Sequence, residues 1–550
     1  MSGVGNRLAA SPSLDGYPSG KIALATTQSR ARVSSCFALA IVLLATSLAC
    51  IDVRIRSPSR FVALIEGAPP GLDPIGAEDS RINNAALNLY NSLIQYRPGS
   101  MELEMELAES TTLSPDGLRQ TFRLREGVRF HDGSIVSAGD VAYTIERTVA
   151  LGIGVYAYMP LIAGAEILDR RTVAILLSAP YPGLLPALSH LYILNADLVR
   201  AHEQDGDWGQ RWLQNHEAGS GPYRLVSFEA QQSYTIERSP DYFKGWAGKH
   251  IDSAVFRVIQ SEGTRRMALE SGDADWIYLS SADSFEALRG VDGLVLNREP
   301  TLNQLYFAFN TQTEQLRDPR VRRALALTYD YRGHVAHLMN GNAVIARGLL
   351  PDGVGCFDPA TPPERTDLDE ARRLMSAAGY PDGGFELIMA FEGTTGETDF
   401  FRLLQAGAAD LGVTLKALDI EFDAKVANYA SLETATDVGT IWIYVPSPDP
   451  HQYLFRLAHS SQAGNGGRNF AFYSSARVDQ LLEDAVSETD ESLRCGMYQE
   501  VMDILRDDMP FTPVVTMVAL SAQRSYVRGY APTKAHPLTQ NVYLMWLEGG

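Results

Sequence analysis

The sequence lacks the signatures of several common enzyme classes. It has no HExxH pair, no GxSxG elbow, no Walker lysine and no glycine triplet opening a helix. Metalloprotease, α/β-hydrolase, P-loop and dinucleotide-binding chemistry therefore have no local support. Cations are in deficit: 47 Lys and Arg stand against 66 Asp and Glu, giving a formal net charge of −19. Residues 1–49 hold four bases (Arg7, Lys21, Arg30, Arg32) and one acid (Asp15), which leaves the remainder at −22. An acidic body with no basic run argues against nucleic acid or an anionic membrane surface as partner. Cysteine is scarce, with 4 in 550 residues, and no CxxC or Cys/His spacing suggests a metal. His334 and His337 lie one helical turn apart, but no third ligand is evident. No metal and no other cofactor is expected.

The one long apolar run, Phe37 to Ala49, is too short to span a bilayer and has the length of a signal-peptide core. Arg30 and Arg32 precede it and Ser47-Leu48-Ala49-Cys50 ends it, which resembles a lipobox with Cys50 as the lipidated residue. An ordinary cleaved signal followed by an incidental cysteine is the competing reading. Residues 1–50 are thus expected to be a signal peptide and 51–59 a tether. Of the two cysteines left, Cys356 and Cys495 either pair or stay as separate thiols, since spacing alone cannot give their distance. At 550 residues the chain should hold two or three domains.

The most structured stretch is Ala108 to Arg147. Ser114-Pro115-Asp116-Gly117 places Pro where φ must be preset and Gly where φ must be positive. Thr121 to Arg125 alternates, with Phe122 and Leu124 on one face. His131-Asp132-Gly133 turns the chain again. Ser137 with Asp140 three residues on is a capping box, opening a helix that turns Val141, Ile145 and Val149 inward. Arg60 to Ile65 reads as a strand running into the Pro/Gly loop Glu66 to Pro74, a place where open α/β sheets put ligands. Glu166 to Leu177 reads as one alternating strand. Leu305 to Phe309, Thr440 to Tyr444 and the segment following Met509 read as buried strands, and Glu491 to Asp508 as a helix.

The turns SPDG and FHDG and the helix Asp140-Val141, Tyr143, Ile145-Glu146-Arg147 closely resemble the signature of the family 5 extracellular solute-binding proteins, the peptide- and nickel-type receptors of ABC importers. Gly219 to Tyr223 (GSGPY), Asp241 to Gly245, Ala268 to Asp275 and Leu316 to Ala326 extend the resemblance over roughly residues 60–520. It implies a periodic α/β architecture of the periplasmic binding protein type (type II, cluster C): two lobes joined by hinge strands, plus an extra α+β subdomain. The implied layout is 60–97, 216–307 and 512–550 for lobe I, 98–215 for the peripheral subdomain and 308–511 for lobe II.

The resemblance implies a non-enzymatic receptor that captures oligopeptides or a related small solute by lobe closure. Its implied partners are an ABC permease, ATPase subunits and the membrane through the lipid anchor, the receptor itself being a monomer outside the cytoplasm. Candidate ligand contacts at strand ends are Glu66, Tyr306, Asn310, Trp442 and Tyr444, with Asp449 nearby. Each also has a core or turn reading, strongest for Trp442. Peptide-binding members commonly carry an Asp three residues after that Trp, where it pairs with the peptide's amino group; here the position is Val445. Either Asp449 or Glu66 replaces it, or the ligand is a sugar, an opine, a metal chelate or another non-peptide solute. A signalling receptor on the same fold and a secreted hydrolase are the rival functions.

Overall fold

The strands follow from short apolar, β-branched runs punctuated by glycine, proline and capping residues. In the computed structural model, which describes residues 59–393, 396–445 and 447–549, eleven such strands form one sheet. In chain order they are β1 Arg60–Ile65, β2 Tyr223–Glu229, β3 Ser233–Arg238, β4 Ser253–Val258, β5 Trp276–Leu279, β6 Leu294–Phe309, β7 Ala343–Ile345, β8 Glu386–Phe391, β9 Thr414–Asp419, β10 Val438–Ile443 and β11 Phe511–Arg524. Their spatial order is β9-β8-β10-β6-β11-β5-β1-β4-β3-β2, with β7 added to β11.

Two of these strands hold the sheet together. β6 and β11 are 16 and 14 residues long and pair antiparallel over most of their length. Their first contact zone, Leu294–Pro300 against Val518–Arg524, lies beside β5; the second, Gln304–Ala308 against Phe511–Thr516, lies beside β10. Register shifts at Pro300/Gln304 and Gln304/Tyr306 separate the zones. A register shift bends and twists a ladder locally, so the sheet is two half-sheets joined by two irregular crossing strands. The expected borders 307/308 and 511/512 fall within these strands. Parallel pairing of β1 with β4 and β5, and of β8 with β9 and β10, marks an α/β core in each half. Three buried clusters accompany this arrangement, one of them built on Leu305, Phe307, Leu325 and Met389 in the β8–β10 half.

A separate four-stranded sheet is formed by Ala108–Leu113, Arg119–Leu124, Thr172–Leu177 and Ile162–Asp169 in spatial order. The expected single strand over 166–177 is a hairpin, because Arg170-Arg171 turns the chain between Ile162–Asp169 and Thr172–Leu177. The capping box forms: the Ser137 hydroxyl lies 2.8 Å from an Asp140 carboxylate oxygen, which also accepts from the Ser137 amide at 2.9 Å. The helix it opens runs Ala138–Leu151 and stops at Gly152, whose φ is +62°. No described helix is long and apolar enough to cross a membrane. Cys36 and Cys50, and the signal and tether readings, lie outside the described residues. Cys356 and Cys495 form a disulfide.

Candidate functional site

Both crossing strands open onto a region where the β10 loop meets elements of the other half. β10 runs into Tyr444 and Val445, then Ser447, Pro448 and Asp449, which caps the helix Pro450–Ala458. The polar side chains here divide into groups that are internally satisfied and groups that are not.

Asp449 is satisfied. It is 5% exposed, accepts the His451 amide at 2.8 Å, and takes Arg494 Nη2 on both oxygens at 3.0 and 2.8 Å. Trp442 is half-buried, and its indole N–H donates to Glu397 Oε1 at 2.9 Å. Glu397 is 1% exposed and also accepts from the Glu392 amide at 2.8 Å, Lys425 Nζ at 3.3 Å and the Thr440 hydroxyl. Neither Glu397 nor Lys425 stood out in the sequence, because a buried ion pair assembled from a helix start and a separate short helix has no periodic signal.

The remaining candidates are placed as follows. Tyr306 is fully buried and donates to the Leu349 carbonyl at 2.7 Å. Asn310 is 3% exposed and its Oδ1 accepts from the Gln312 amide at 3.0 Å, which is turn chemistry. Glu66 is exposed at the end of β1; burial first, and the Glu66 charge second, push the Tyr278 phenol up to about 12. Tyr444 donates its hydroxyl to the Ala535 carbonyl at 2.5 Å, a bond from the β10 half to the C-terminal segment. Val445 is fully buried. Trp442 and Tyr444 are half-buried and Tyr306, Asn310 and Asp449 are buried, and all five hold internal hydrogen bonds.

Further polar contacts are made from the helix that Asp449 caps. Gln452 Nε2 reaches the Tyr158 carbonyl at 3.5 Å and the Tyr181 hydroxyl at 3.4 Å, and Tyr453 donates to the Leu302 carbonyl at 2.7 Å. His190 packs on His536 with centroids 4.8 Å apart and edge-on to Tyr158 at 6.2 Å. Among the described residues, His190 Nε2, the Tyr96 hydroxyl, Ser447 Oγ and His451 Nδ1 are buried without a hydrogen-bond partner. Native interiors leave few such atoms, and these four are among fifteen in the described residues. Burial drives His451 and His536 down to about 4 and His190 well below its usual range, so these imidazoles are neutral near pH 7.

A cavity of about 150 Å³ lies at the crossing strands, lined by Pro300, Gln304, Arg347, Phe357, Thr516 and Lys534 among others. It is smaller than the roughly 300–1,000 Å³ of drug-sized ligand sites. Lys534 pairs with Asp352 at 2.9 Å across its rim. His334, buried, bonds through Nδ1 with the Tyr329 hydroxyl at 2.7 Å, and the described residues contain no group of three possible metal ligands.

The comparisons with known proteins fit this architecture. The heme-binding protein A of Haemophilus influenzae is 25% identical over 524 residues, covering 88% of this chain and 92% of that protein. The glutathione-binding protein GsiB of Pectobacterium atrosepticum is 26% identical over 468 residues, covering 84% and 89%. Among solved structures, the periplasmic binding protein DppA of Helicobacter pylori, in complex with the peptide STSA, superposes with a TM-score of 0.76 at 24% identity, covering 89% of this chain and 98% of that one. The sequence profile described as bacterial extracellular solute-binding proteins, family 5 Middle, matches residues 102–465, about two thirds of the chain. This chain belongs to the bacterial extracellular solute-binding proteins, family 5.

Proposed function

We propose that the chain is the substrate-binding receptor of an ABC importer. It captures an oligopeptide-like or related small solute between its lobes and hands it to a membrane permease with its ATPase subunits. The observation that carries this reading is the pair of crossing strands, β6 and β11, whose register shifts separate two half-sheets. Strands of that kind let two rigid halves rotate about a narrow waist, which is hinge closure around a ligand. The named relatives, which include a heme-binding and a glutathione-binding protein, support a small-solute cargo.

In this reading residues 60–97, 216–307 and 512–550 form lobe I, 98–215 the peripheral subdomain and 308–511 lobe II. Trp442 and Tyr444 face the solute, and Glu66 lies at the mouth. No bond is made or broken; capture is reversible. Cys50 carries a lipid anchor, 51–59 is the tether, and the receptor acts as a monomer outside the cytoplasm.

The test is native mass spectrometry of the purified protein, then calorimetry with tripeptides, glutathione, opines, sugars and metal chelates. One of these classes should bind with micromolar or tighter affinity and reduce the radius of gyration in solution scattering. Hydrolysis of a bound peptide, or failure of every solute to raise the melting temperature, overturns the reading.

A further inference from the structure

We propose that Glu397 is a positioning residue for solute recognition: with Lys425 as its counter-charge, its carboxylate fixes the Trp442 indole so that the ring, and not its N–H, meets the captured solute. The inference rests on the receptor reading above, in which Trp442 faces the solute, and names the buried group that aims it.

Three elements meet at this carboxylate. Glu397 opens the helix Glu397–Ala409, Lys425 lies on the short helix Phe422–Asn428, and Thr440 and Trp442 stand two residues apart on β10. Alternate residues of a strand share a face, so both reach the same acid. Glu397 is 1% exposed, and its two oxygens take different partners. Oε2 accepts the Glu392 amide at 2.8 Å, Lys425 Nζ at 3.3 Å and the Thr440 hydroxyl. Oε1 accepts the Trp442 indole N–H at 2.9 Å. Lys425, 3% exposed, also donates to the Thr440 hydroxyl at 3.1 Å. The ring of Phe400, on the helix that Glu397 opens, stands edge-on to the indole with centroids 6.3 Å apart.

A buried ion pair is a costly way to hold a fold, because desolvation offsets much of its attraction and an apolar pair of similar volume often serves as well. What the charge adds here is a strong, directed acceptor for the indole. Glu397, Lys425 and Thr440 are buried and Trp442 is half-buried, so the network reaches outward through the indole. Trp442 also lies opposite Leu305 of β6 in the ladder, which fixes the ring relative to a crossing strand. With its N–H occupied by Glu397, the indole offers the solute an apolar and π-stacking surface instead of a hydrogen bond. A ring already held loses less freedom on capture than one that must be ordered by the solute.

The test uses the full chain labelled with 5-fluorotryptophan, in which Trp442→Phe assigns one of six fluorine signals, and calorimetry with glutathione and trialanine as probes. Glu397→Gln alone would strand Lys425, so both partners change together. Glu397→Gln with Lys425→Met keeps an acceptor oxygen for the indole, whereas Glu397→Met with Lys425→Met removes it. A second apolar pair, Glu397→Leu with Lys425→Leu, guards against one that misfolds, and circular dichroism checks each. The apolar pairs should move the Trp442 signal and weaken the tighter probe by about fivefold, the factor that one hydrogen bond is worth, while the glutamine variant keeps most of the wild-type affinity. Added to Trp442→Phe, an apolar pair should weaken binding no further, which a general loosening of the fold would not reproduce. Wild-type affinity in the apolar pairs, or a loss that persists undiminished beside Trp442→Phe, overturns the positioning role and leaves the receptor reading standing. Wild-type affinity in Trp442→Phe itself removes the Trp442 contact and the positioning role together. Failure of both probes to bind the wild type counts against the receptor reading for peptide-like solutes and takes the positioning role with it.

Discussion

The guanidinium of Arg147 grips both carboxylate oxygens of Asp73, 74 residues earlier in the chain, one of them at 3.0 Å. The side chains are 2% and 7% exposed, and Arg147 Nε also donates to the Trp208 carbonyl at 2.8 Å. The pair fastens the last turns of the capped helix to the loop after β1. Removing one partner strands a buried charge. Arg147→Ala should lower unfolding stability by about 3–5 kcal/mol in a urea titration. Combining it with Asp73→Asn should cost less than the two single losses added together, because the second change removes the stranded charge. A loss under about 1 kcal/mol would mean the pair is solvated in solution.

His131 and Glu217 give the fold a pH dependence. The side chains are 9% and 11% exposed, the His131 Nδ1 lies 2.7 Å from Glu217 Oε1, and its Nε2 lies 2.9 Å from the Gly221 carbonyl. Burial works against the charged ring, but the Glu217 hydrogen bond and charge and the Gly221 carbonyl outweigh it and raise the imidazole above its usual value; Arg224 opposes slightly. A group raised on folding contributes stability in full below the unfolded value, about 6.5, and loses it as pH climbs through the folded value. The melting-temperature advantage of the wild type over His131→Gln should therefore be largest below pH 6.5 and shrink toward pH 9. An advantage that grows with pH would contradict an imidazolium held between Glu217 and Gly221.

The Cys356–Cys495 bridge joins positions 139 residues apart. A cross-link closing so long a loop restricts the unfolded chain, with typical effects of about 2–5 kcal/mol. Reduction, or the double change Cys356→Ser and Cys495→Ser, should lower the melting temperature and loosen the turn at Gly355, whose amide donates to the Pro448 carbonyl at 2.8 Å. Hydrogen exchange at residues 353–357 and 447–450 reads that loosening directly. Unchanged exchange there after reduction would show that the turn is held by its other contacts.

Under the proposed lobe closure, Tyr444 should report on it. Its hydroxyl bond to the Ala535 carbonyl exists only when the β10 loop and the C-terminal segment are together. One neutral hydrogen bond is worth about 1 kcal/mol, a factor of roughly five in a closure equilibrium. Tyr444→Phe should weaken solute affinity by about that factor through a faster off-rate, with little change in the melting temperature of the unliganded protein. A matching loss in the on-rate would assign Tyr444 to entry.

How much of this was legible depends on the range of the interaction involved. The capping box of Ser137 and Asp140, the helix Glu491–Asp508 and the strand ends around Phe309 and Ile443 were readable because each is set by a few neighbouring residues. The hairpin over 162–177 was missed because Ile167, Val173, Ile175 and Leu177 fall on one period-two face, although Asp169, whose carboxylate accepts the Arg171 amide at 2.7 Å, sets a turn between them. Asp449 and Asn310 stand at strand ends as read; the Gln312 amide on Asn310 is local turn chemistry, whereas the Arg494 guanidinium on Asp449 comes from 45 residues away, a pairing that sequence spacing does not give.

The sequence by itself determined the family, the alternating strands and helices, the acidic surface and the loss of an acid at Val445, because those are matters of local pattern and residue identity. Only the tertiary structure decided which charges are spent and which are free. It joined Glu397 to Lys425 and Trp442, and joined Cys356 to Cys495. The reason is physical: desolvation and pairing depend on what the folded chain brings within a few ångströms, and it brings together residues as far apart in sequence as Asn84 and Gln540, whose amide donates to the Asn84 side chain at 2.8 Å.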